Sequence, residues 1–102
     1  MTTMRVYLSA DLEALRQLRE GRDIALPAVV PASDDELDEF EALSEAAQQG
    51  AVVIAADVDR ADSPVSPDQV ASFHLDADGS GDLAWYAPQE LDDVIELMSA
   101  PS

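Results

Sequence analysis

Cysteine and lysine are absent from this chain, histidine occurs once, and there is no long run of apolar residues. Without cysteine there are no disulfides, thiolate metal ligands or cysteine nucleophiles. A single histidine excludes a zinc site built from several histidines of one chain. No apolar run approaches the roughly 18 residues of a membrane-spanning helix. The opening residues carry no hydrophobic secretory segment, so we expect a cytoplasmic protein.

Positive charge is also scarce, because 22 acidic residues stand against five basic ones and the formal net charge is −17. Nucleic-acid phosphates and anionic membrane surfaces would be repelled, so neither is an expected partner. The charge suits a partner with a basic surface, multivalent cations or a high-salt cytoplasm. Solubility and the codon bias of a GC-rich genome are the simpler explanation.

The longest apolar run, Ala51 to Asp57, predicts a strand buried on both faces of a sheet. Four other segments have strand character. They are a short strand at Met4 to Leu8, an edge strand or an extended crossover within residues 22–32, and the two strands of a β-hairpin at residues 70–76 and 82–87. In the hairpin, alternation assigns Ala71, Phe73 and Leu75 to one face, Trp85 to the core, and Tyr86 to the surface.

Three helices are predicted from apolar spacing and capping residues. The first has Ser9 as its N-cap and ends at Gly21, and the third begins at Pro88. The second begins in the capping box Ser33-Asp34-Asp35-Glu36 and ends at Gly50. Its core-facing residues, at helical spacing, are Leu37, Phe40, Leu43 and Ala47. Interleaved helices and strands predict one α/β domain over residues 1–102, a layered fold with a mixed sheet of four to five strands and three helices.

The segment from Asp76 to Leu83 matches the first eight positions of an EF-hand calcium loop. Oxygen ligands would come from Asp76, Asp78, Ser80 and Asp82. The match then fails, because position 12 is Ala87 instead of a bidentate glutamate, and the incoming segment alternates like a strand. An Asp/Gly/Ser-rich hairpin turn explains the same residues. Calcium binding is therefore an alternative hypothesis.

The second helix carries a row of carboxylates, and these predict a surface for a basic partner. They are Asp35, Asp38, Glu39, Glu41 and Glu45. Such a row imitates the phosphates along a nucleic-acid backbone or binds a basic protein. A helix face that is simply exposed to solvent has the same composition. A true interface is expected to add aromatic anchors among the charges, and the predicted face has none. Tyr86 is a further candidate contact.

No catalytic constellation is recognisable. His74 lies on the polar side of its strand, and Ser9 and Ser33 are better explained as helix caps than as nucleophiles. The sequence therefore predicts a non-enzymatic acidic protein-binding or regulatory module without a cofactor. A small enzyme with carboxylates as acid and base is a second alternative, which two carboxylates brought together in a pocket would support.

Two stretches together resemble a small actinobacterial protein family of unknown function. Residues 4–16, MRVYLSADLEALR, are similar to its opening, and residues 82–91, DLAWYAPQEL, to its closing segment. The strand from Ala51 to Asp57 and the Phe73-His74-Leu75-Asp76 segment fit between them in the same order. This chain is shorter than the family between Asp76 and Leu83. The resemblance implies a cytoplasmic bacterial protein, transfers no catalytic residue, and weakens the EF-hand hypothesis.

Overall fold

A computed structural model of the protein describes residues 3–33, 35–50, 52–76 and 83–99. Five strands form one sheet: β1 (Met4–Ala10), β2 (Ala28–Val29), β3 (Val52–Val58), β4 (Val70–Leu75) and β5 (Ala84–Tyr86). Three helices pack on it: α1 (Leu12–Arg19), α2 (Glu36–Ala47) and α3 (Leu91–Ser99). The predicted α/β layered fold and the predicted order of its elements are confirmed.

The strand order is β2-β1-β3-β4-β5, and every neighbouring pair is antiparallel. The prediction of a mixed sheet, which rests on the alternation of helices and strands, is therefore wrong. The physical reason lies in β1, which pairs antiparallel with both β2 and β3 and separates them. The helix α2 still connects two strands that run in the same direction, but these strands are not neighbours, as in a split β-α-β unit.

The strand β3 is the centre of the fold, as predicted, and both of its edges are paired. Six of its seven residues are buried, on both faces. On one face it belongs to the main core, where α1 and α3 pack side by side over the sheet. The residues that these two helices bury include Leu15, Leu18, Val94 and Ile95. On the other face lies α2, so the protein has three layers.

Two predicted helix caps are displaced in the structure. The first strand continues through Ala10, so Asp11 caps α1, and its Oδ1 accepts a hydrogen bond from the Ala14 amide at 2.9 Å. The predicted cap, Ser9, remains in β1, and its hydroxyl donates to the carbonyl of Ala46 at 2.6 Å. This hydrogen bond links the end of β1 to α2. The side chain of Ser9 therefore stabilises the packing of the helix on the sheet and does not cap α1.

The helix α2 begins two residues later than its predicted capping box. Asp35 is the N-cap, and its side chain accepts from the Leu37 amide at 3.0 Å. The hydroxyl of Ser33 accepts from the Asp35 amide and donates to Asp38 at 2.6 Å. Asp35 takes the N-cap position in place of Ser33. Its side chain accepts well from the first free amides of the helix, and its negative charge interacts favourably with the helix dipole.

A β-bulge changes the alternation of β4. Ala55 pairs with Ser72 and Ala56 with Val70, so Ala71 is the extra residue. The bulge places Val70 on the core-facing side together with Phe73 and Leu75, all of them buried. The predicted inward placement of Phe73 and Leu75 is confirmed. Ala71, which is predicted to share their face, is half-buried and is not part of that core, because the inserted residue interrupts strict alternation.

Gly50 lies where the chain leaves α2 and approaches the end of β1. A Cβ atom at this position would come within 3.0 Å of the backbone nitrogen and oxygen of Ala10. We expect Gly50→Ala to lower the free energy of unfolding by about 1–3 kcal/mol, because backbone atoms would have to move to admit the methyl group. Urea denaturation followed by circular dichroism measures this loss.

Gly21 offers a matched control, since it needs glycine for a different reason. Its φ is +83°, and no atom lies within 4 Å of the place that a Cβ atom would take. Asparagine tolerates this left-handed conformation, so Gly21→Asn is expected to cost little. A Gly50→Ala protein as stable as the wild type would show that β1 and the end of α2 are not in close contact.

Candidate functional site

The sheet-facing side of α2 consists of small residues. Ala42 and Ala46 are buried against Tyr7, Val53 and Ala55. The prediction that Leu37 and Phe40 face the core is wrong, because these side chains are 64% and 63% exposed. Large residues on the packed side would hold the helix away from the sheet, whereas alanines let it approach closely. The other two predicted core residues, Leu43 and Ala47, are half-buried at the edge of this contact.

The helix therefore presents two apolar side chains among carboxylates. Leu37 and Phe40 are three residues apart, which puts them on one side of the helix. Glu36 and Glu41 are exposed beside them. Sequence reasoning misses this combination by assigning the large apolar residues to the core. The available signal is the alanine pair at positions 42 and 46, spaced i and i+4 opposite the small residues of β3.

The five predicted contact carboxylates do not share one surface. Asp35, Glu41 and Glu45 are exposed, whereas Asp38 and Glu39 are half-buried. A shallow cavity of about 130 Å³ lies between α2 and the segment around β2, and its lining includes Asp38, Glu41 and Glu45. Carboxylates thus meet in a concave site, but its volume is below the roughly 300–1,000 Å³ typical of small-molecule pockets. This cavity therefore gives little support to the alternative hypothesis of a small enzyme with carboxylates as acid and base.

The two aromatic residues of β5 exchange their predicted places. Tyr86 is half-buried and packs against the main core, and Trp85 is 61% exposed. The register explains the exchange, because Tyr86 lies opposite the inward-facing Phe73, and Trp85 lies opposite His74. The predicted alternation is present, but its phase is reversed. The candidate aromatic contact at this edge is consequently Trp85 in place of Tyr86.

His74 is half-buried, and its Nε2 lies 2.9 Å from the hydroxyl of buried Ser72. Burial lowers the pKa of His74 below its usual 6.5, and the positive charge of Arg5 lowers it further. Arg5 itself forms an ion pair with Asp57, with 2.7 Å between its Nε and the carboxylate. That hydrogen bond is the main reason why the pKa of Arg5 is raised.

The lowered pKa of His74 predicts a loss of stability in mild acid. Below pH 6.5 the unfolded chain takes up a proton that the folded chain resists, so the contribution present at neutral pH is lost as the pH falls towards the folded pKa. We expect the wild type to lose more unfolding free energy than His74→Gln between about pH 7.5 and about pH 5.5. Urea midpoints measured at both pH values test this. Equal losses in the two proteins would contradict a buried neutral ring.

The candidate calcium loop lies mostly outside the described residues. Asp76 is described, whereas Asp78, Ser80 and Asp82 are not. Beyond the loop, the carboxylate of Glu90 accepts from the Ala87 amide at 2.9 Å and so caps the turn before α3. In the described part of the chain, no three histidine or carboxylate side chains are arranged to hold a metal ion. Calcium binding stays a prediction, tested by a thermal melt in calcium chloride against sodium chloride of equal ionic strength.

No family model, curated protein or solved structure matches this chain. The resemblance to the actinobacterial family therefore stays a hypothesis. Among the described helices, none has the length and apolar character needed to cross a bilayer.

Proposed function

We propose that this chain is a non-enzymatic protein-binding or regulatory module of the cytoplasm, which binds a partner with a basic surface through the exposed side of α2. The observation that carries the proposal is the exposure of Leu37 and Phe40 among the carboxylates of that helix. An apolar centre surrounded by a polar rim is the usual arrangement of a protein interface, and a few residues near the centre carry most of the binding energy. The surrounding charges select the partner and speed its association.

The distribution of the arginines supports a basic partner for this side of the molecule. Arg16 and Arg19 belong to α1, on the opposite face of the sheet, and Arg60 is paired with Asp62 in a loop. Arg5 lies on the same side as α2, but it is paired with Asp57. The helix α2 itself contains no arginine, and its last turn has no basic residue. A basic partner would therefore meet carboxylates without meeting unpaired positive charge on the helix. Nucleic acid is not proposed, because its phosphates would be repelled.

The test is affinity capture of proteins from a cell lysate at low salt, with the full chain immobilised. The wild type is compared with a Leu37→Ser/Phe40→Ser double variant and with Leu97→Ser. Leu97 is the matched control because it is also an exposed leucine, but it belongs to α3 on the other side of the sheet. The proposal predicts a protein that the wild type and Leu97→Ser retain and the double variant loses. Recovery of no specific protein, or equal recovery by all three, would contradict it.

A further inference from the structure

We draw no further inference here: the strongest candidate, the shallow cavity between α2 and the segment around β2 that Asp38, Glu41 and Glu45 line, is a cluster of carboxylates for which no second feature of the described residues indicates a ligand.

Discussion

Replacing Phe73 by alanine is expected to remove about 3–5 kcal/mol of the free energy of unfolding. The ring is only 1% exposed, at the centre of the main core between the sheet and the helices α1 and α3. Its loss removes apolar contact area and leaves a cavity that a tightly packed sheet fills poorly. The total stability of a domain of this size is about 5–15 kcal/mol, so the substitution removes a large share of it. Urea denaturation measures the difference.

The other phenylalanine of the chain provides a matched control. Phe40 lies on the exposed side of α2, and we expect Phe40→Ala to change the free energy of unfolding by less than about 0.5 kcal/mol. The same chemical change is thus predicted to have two very different effects. If both variants lost several kcal/mol, the outer side of α2 would have to be buried. That result would also remove the basis of the proposed interface.

The buried phenylalanine, Phe73, illustrates what the sequence predicts well. Phe73 belongs to a strand whose alternation is clear, and its burial follows directly from that pattern. The central position of β3 is equally predictable, because a short run of apolar residues without alternation is stable only when both faces are covered. Gly21 is correctly predicted as the end of α1, where it takes a positive φ. These features follow from local backbone preferences and from whether one or both faces of a segment are apolar.

The candidate site is less predictable, because it depends on tertiary packing. Leu37 and Phe40 have the spacing of a core stripe, and nothing local distinguishes them from one. The sheet beneath α2 has Val53 and Ala55 at its centre and accepts alanines most closely. The phase of β5 likewise depends on its register with β4, so alternation alone assigns Trp85 to the core and Tyr86 to the surface. Sequence spacing defines both faces but not which of them is buried.

Close packing of α2 through alanine makes a second large effect testable. Ala46 is fully buried, with 0% of its surface exposed, and its carbonyl accepts the hydrogen bond from Ser9. We expect Ala46→Leu to destabilise the protein by about 1–3 kcal/mol, because the added carbons would push the helix off Val53 and strain that bond. Guanidinium denaturation measures the loss.

Glu45→Leu, at the neighbouring position of the same helix, introduces the same side chain where the residue is exposed. It is expected to lie within about 0.5 kcal/mol of the wild type. Similar stabilities for the two leucine variants would mean that α2 is not packed through its alanines, and the exposure of Leu37 and Phe40 would lose its explanation. A large loss at Ala46 alone would instead show that close approach to the sheet orients this helix. The same constraint turns its two large apolar residues outward, where a partner can reach them.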